Sequence, residues 1–437
     1  MNITGIIAEF NPFHNGHMHL FNEARKRGAD HLIVIMSGNF VQRGEPAVFD
    51  AHIRAEMALR SGADLVIELP VRYASASAEK FAFGGVSLLT SLGVVDHLIF
   101  GSENGRIDRL SKIAELLCLE PDDYRSSLKK ALSEGLSFPA AREKAVLSCL
   151  DFSEKELSEL LSGSNNILAI EYLKSLQALN SPIIPLTIPR LGENYHGTKG
   201  PTTDVSDDTI VDVSHFVSAE SIRKKYFAGG NTTCSDKEII KYTLESVPAE
   251  IHSFISDNDF INHPVCADDY SLILRYLLLS AAQEKISSID GISPDSADRI
   301  YKNKKDFVSF TEFARNIATR SIPYSAVCRS LLHLILKLDK ESSEGNGIKV
   351  SNSVYDEPEY ARVLGFRRSA GRLLHEISKN SKVPIITKAS DQRKLLTGRS
   401  ADHFMEDIRS AEIYEGILAE KAHKAFRPEL SRPLVII

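Results

Sequence analysis

The chain has 437 residues, 43% of them hydrophobic and 25% charged, with a formal net charge of -6; at roughly 100–200 residues per domain this is enough for two or three domains around large cores. The balance excludes whole-chain attraction to polyanions and leaves any nucleic-acid contact to a local basic region. Five dispersed cysteines without a CxxC pair fit reduced thiols and give no metal site, and with no leader or long apolar run the expectation is a cytoplasmic protein with no membrane partner.

In chain order the first strand-like run is ITGIIAEF (3–10), followed by a helical stretch at 18–27. HLIVIMSG (31–38), a helix at 51–61, ADLVIELP (63–70) and DHLIFGSE (96–103) continue the alternation, and SPIIPLTI (181–188) adds a fifth strand. These runs are continuously apolar, as parallel strands covered by helices on both faces must be. The expected fold is therefore α/β, a Rossmann-like doubly wound parallel sheet. The breaker-rich GGNTTCSD (229–236) marks a change of texture. Beyond it the pattern is mainly helical, with helices at 270–282 and 326–338, an exposed loop at 339–353 and a lone strand candidate in SKVPIITKAS (381–390). This predicts a catalytic domain over 1–229 and a mainly helical region over 230–437.

The first strand runs into NPFHNGH, which places His14 and His17 at a strand-to-helix turn with Gly16 between them. In a doubly wound fold such a turn lies at the carboxyl end of the sheet, where helix N–H groups favour a phosphate. Both histidines are then placed to stabilise charge developing on a nucleotide α-phosphate and its leaving group. Two neighbouring histidines are ordinarily caps or surface residues; the position after the first strand favours function here. No GxxxxGK[ST] loop occurs, which disfavours P-loop chemistry. The motif resembles the HxGH signature of the nucleotidylyltransferase and class I synthetase superfamily. That resemblance implies a second phosphate clamp, matched by SAESIRKKY (218–226): Ser221 would cap the helix, and Arg223 and Lys224 would meet the β- and γ-phosphates.

NPFHNGH, MSGNFVQRGEPAVF, GADLVIELP, FGSENG, NNILAIEYL, SAESIRK and YARVLGF together resemble the bacterial tRNA(Met) cytidine acetate ligase family. The resemblance implies ATP-dependent, AMP-forming activation of acetate as acetyl-adenylate, followed by acetyl transfer to N4 of the wobble cytidine of elongator tRNA(Met), with Mg2+ accompanying the nucleotide. It assigns ATP binding to Ile7, Ala8, Glu9, Phe10, Asn11, Pro12, Phe13, His14, Asn15, Gly16, His17, Met18, His19 and Leu20, together with Gly101, Asn165, Arg190 and Ser221. Gln42, Arg43 and Glu45 form a polar loop above the same sheet edge. Ala169 stands where the family pattern leads one to expect glycine.

Residues 299–400 carry 20 Lys+Arg against 10 Asp+Glu, a local excess in an acidic chain that favours RNA contact. Arg315, Arg320, Arg362, Arg367, Arg368 and Arg372 are the expected tRNA contacts, with Lys302, Lys304 and Lys305 beside them. Two other readings stay open: a nucleotidylyltransferase acting on a small phosphorylated metabolite, and a non-catalytic ATP- or RNA-binding protein.

Overall fold

The computed structural model describes residues 1–103, 105–190, 217–227, 236–340 and 347–437. Five strands alternate with helices as their apolar runs dictate: β1 (Ile3–Ala8), α1 (Asn15–Lys26), β2 (His31–Ser37), α2 (Ala51–Arg60), β3 (Leu65–Leu69), α3 (Ala78–Ser91), β4 (His97–Ser102), α4 (Ser164–Ala178) and β5 (Ile184–Pro189). They pair in parallel in the order β3-β2-β1-β4-β5. The order reverses between β1 and β4, the switch point at which a crevice opens beyond the strands' carboxyl ends. Four helices between residues 107 and 162 intervene before α4; strand periodicity gave no sign of them. Ala169 lies fully buried within α4, so the helix packs without the expected glycine.

One face of the sheet buries Ile33, Ile35, Leu65 and Ile67 against α3 and α4. The other buries Ile6, Leu32, Val34 and Val66 against α1, α2 and the helix α5 (Ala219–Phe227). Val247, Ile251, Phe254 and Ile261 pack on that second face as well, so the boundary expected at residue 230 does not divide the packing. A third core, from Val265 to Leu338, is helical and includes α6 (Tyr324–Leu336); Phe40 and Val71 reach into it from the sheet side.

The chain then returns to the sheet. β6 (Ala361–Phe366) pairs antiparallel with β3, setting Arg362 opposite Glu68 and Phe366 opposite Leu65. β7 (Ile385–Ile386) and β8 (Val435–Ile436) pair in parallel with β6, so the lone strand candidate is real but has partners. Ile348–Val350 and Ser353–Tyr355 form a hairpin where an exposed loop was expected, and residues 341–346 lie outside the described set. The long helix α7 (Arg399–Lys421) spans the helical core and the sheet edge.

Candidate active site at the carboxyl ends of β1 and β4

Beyond Ala8 the backbone turns sharply at Phe10, whose φ is 47°, and α1 begins at Asn15. His14 is its N-cap: Gly16 N–H donates to His14 Nδ1 (3.0 Å), and His14 N–H donates to His17 Nδ1 (3.2 Å). The two rings stack with centroids 3.8 Å apart. Phe10 and Phe13 back the His17 ring at 4.7 and 5.4 Å. Gly16 is required by this packing, because a Cβ there would stand 2.8 Å from His14 Cε1.

Burial, with Arg190 and Arg223 nearby, brings the His14 pKa down to about 3. Burial, His14 and Arg190 also hold His17 well below the ordinary imidazole value. Both rings are therefore neutral at pH 7. Because each Nδ1 accepts a backbone N–H, each ring proton sits on Nε2. The turn thus presents two neutral, oriented N–H donors, together with two guanidinium groups close enough to perturb them.

Arg223 Nη1 donates to Asn11 O (2.9 Å), and its Nη2 lies 3.8 Å from Glu45 Oε1. Arg190 follows β5, anchored by its N–H to Ser102 O (2.9 Å). A Cβ at Gly101 would meet no atom within 4 Å, so the end of β4 faces open space. Asn165, in the first turn of α4, donates through Nδ2 to Glu103 Oε1 (3.1 Å). Arg190 and Arg223 thus stand beside the His14–His17 turn, Arg190 is tied to the end of β4 next to Gly101, and Asn165 is tied to Glu103 just beyond that strand.

Sequence reasoning missed the group that ties the ends of β1 and β2 together. Arg54 of α2 is fully buried; it donates to Phe49 O (2.8 Å), Glu9 O (2.6 Å), Ser37 O (3.1 Å) and Gly38 O. One guanidinium thereby satisfies carbonyls at the ends of both β1 and β2 that would otherwise be orphaned. A charged residue on an otherwise apolar face of α2 was the available signal.

A model of the HIGH Nucleotidyl Transferase family matches residues 1–428. The tRNA(Met) cytidine acetate ligase of Thermoanaerobacter sp. (strain X514) is 39% identical over 95% of both chains, and that of Acetivibrio thermocellus is 38% identical over the full length of both. The crystal structure of Thermotoga maritima TmcAL bound with alpha-thio ATP covers all of both chains, with a TM-score of 0.83 at 30% identity. The chain belongs to the tRNA(Met) cytidine acetate ligase family.

Three of the residues expected for a ligase of this family stand elsewhere than expected. The cap of α5 is Ser218, whose Oγ accepts Ser221 N–H (3.1 Å); Ser221 lies inside the helix. Lys224 turns to solvent, its side chain 75% exposed and paired with Glu220 (2.8 Å). Arg362 is 4% exposed and lies on a strand, bonded to Glu68 Oε2 (2.8 Å) and to Glu429; it is a structural ion-pair partner and no RNA contact. Arg367 is half-buried and donates to Leu59 O (2.9 Å), with exposed Arg368 and Arg372 following it. Because β6 runs antiparallel to β3, these three lie at the amino end of the parallel strands, across the sheet from the crevice. Arg315 and Arg320 are exposed, and Arg315 is close enough to Tyr324 and Cys328 of α6 to perturb both. Among the described residues no three ligating side chains cluster to hold a metal, and no helix is long and apolar enough to cross a membrane.

Proposed function

We propose that the protein is an AMP-forming ligase that activates acetate with ATP and transfers the acetyl group to N4 of the wobble cytidine of elongator tRNA(Met). The observation that carries this reading is the neutral His14–His17 pair at the switch point, each ring held with its proton on Nε2 and flanked by Arg190 and Arg223. Neutral donors suit a triphosphate that arrives with its own Mg2+: they add hydrogen bonds without drawing a second set of counterions, and the arginines supply the charge. Mg2+ carried by the triphosphate would neutralise part of the charge on the β- and γ-phosphates.

ATP lies with its phosphates over the start of α1, where the positive end of the helix dipole favours negative charge. An acetate oxygen attacks the α-phosphorus in line; His14, His17, Arg190 and Arg223 stabilise the charge that builds there and on departing pyrophosphate. Gly101 leaves room for the nucleoside beside β4. The acetyl-adenylate then gives its acyl group to the cytidine amine and AMP leaves. The tRNA approaches over the side bearing Arg315 and Arg320.

ATP labelled on the α-phosphate separates this from nucleotidyl transfer. With acetate and tRNA the label should leave as AMP while labelled acetate ends on the RNA. Label retained on an acceptor would instead establish a nucleotidylyltransferase.

A further inference from the structure

The loop that follows β2 forms a small hairpin, Phe40–Val41 against Glu45–Pro46, wedged between the nucleotide crevice and the helical core. On the crevice side Gln42 N–H donates to Glu9 Oε1 (2.9 Å), and Glu45 pairs with Arg223. On the other side Arg329 Nη1 donates to Gln42 O (3.3 Å), and Gly44, with φ +79°, lies so close to α6 that a Cβ would stand 2.3 Å from Arg329 N. The hairpin is thus pinned at both ends. Its carboxylate, Glu45, is half-buried and faces Arg223, Glu9, Arg43 and Glu220 on one side and Tyr324 and Cys328 on the other. Tyr324 is 41% exposed and stands near Arg315, one of the arginines proposed above to meet the tRNA.

We propose that Glu45 is the general base that takes the proton from the cytidine amine during acetyl transfer; this rests on the ligase reading above. The N4 nitrogen attacks the acyl carbon and an N–C bond forms. The bond from that carbon to the adenylate oxygen breaks, and AMP departs with the electron pair. The N4 proton passes to a Glu45 carboxylate oxygen and then to water. Burial already raises the pKa of this carboxylate against the pull of Arg223, which strengthens it as a base. When Arg223 turns its charge to the nucleotide phosphate, its hold on Glu45 weakens, so the base is strengthened once the adenylate is in place.

Two assays on Glu45→Gln test this. Hydroxylamine captures the acetyl group without a protein base, so trapped acetyl-hydroxamate, measured with ATP and acetate but no tRNA, should fall only a few-fold, through loss of the Arg223 partner. Single-turnover transfer to tRNA should fall by ~10²–10⁴-fold. Wild-type transfer should slow as pH drops through the ionisation of Glu45, a limb absent in Glu45→Gln and partly restored, with some rate, in Glu45→Asp. Equal loss in both assays would mean that Glu45 only positions Arg223, and normal transfer would place the base elsewhere; either overturns the proposal. If wild type itself formed no acetate-dependent hydroxamate, the ligase reading would fall first and this assignment with it.

Discussion

His14 and His17 act by staying uncharged. Replacing either with alanine removes one donor aimed at charge developing on phosphate and should slow adenylate formation by ~10²–10³-fold, read as acetate-dependent pyrophosphate exchange. Arg223→Ala should do the same, whereas Lys224→Ala should change the rate less than about threefold, because that ammonium pairs with Glu220 on the solvent side. A large loss in Lys224→Ala would restore it to the clamp. The same neutrality bears on stability. Both folded-state pKa values lie below that of an unfolded histidine, so as pH falls below about 6.5 the unfolded chain binds protons that the native chain refuses. Stability should therefore decline from pH 7 toward about 3, and His14→Asn should show a shallower decline in urea melts. An unchanged slope would mean that His14 is charged in the fold.

At the scale of elements, the carboxyl ends of β1 and β2 depend on a residue of α2. Arg54→Met leaves several buried carbonyls without donors, each costing roughly 1–3 kcal/mol. The variant should lose about 3–5 kcal/mol in all, seen as a thermal midpoint lower by roughly 3–5 °C in a chain of this length, and should bind ATP more weakly because the crevice loses its brace. How far each element was legible in the sequence follows from the range of the forces that place it. The five parallel strands and the histidine turn were legible because apolar runs and a strand-to-helix junction are local signals. The α5 clamp was half legible: Arg223 and Lys224 are adjacent, adjacent helical residues point about 100° apart, and so only one can face the crevice. Ser218 rather than Ser221 caps that helix for a similar reason, since its Oγ is the one within reach of a free N–H. Arg362 was misread because its partners, Glu68 and Glu429, are 294 and 67 residues away, and nothing in YARVLGF announces them. Arg54 went unnoticed because its partners are backbone carbonyls, which carry no residue signature.

For the whole molecule, the placement of the arginines separates RNA contacts from architecture. Reversing charge at Arg315 and Arg320 should weaken tRNA binding and reduce its salt dependence by roughly one per lost phosphate contact. The same change at Arg368 and Arg372, across the sheet, should do much less in a filter-binding titration, and the opposite ranking would move the RNA face to that end. Arg362→Met should leave tRNA affinity alone and destabilise the fold by about 3–5 kcal/mol, since it strands Glu68 as a buried charge, while Glu429 keeps His52 and Arg432. The late arrival of β6 also sets a timetable. β3 is made early, yet the strand that covers its outer edge leaves the ribosome about 290 residues later. At roughly 5–20 residues per second that is about 15–60 s, during which an apolar strand edge and an unpaired Glu68 await their partners. Such an edge is a template for pairing with another chain, so this protein should depend on holding chaperones during synthesis more than a ligase whose sheet closes in sequence order.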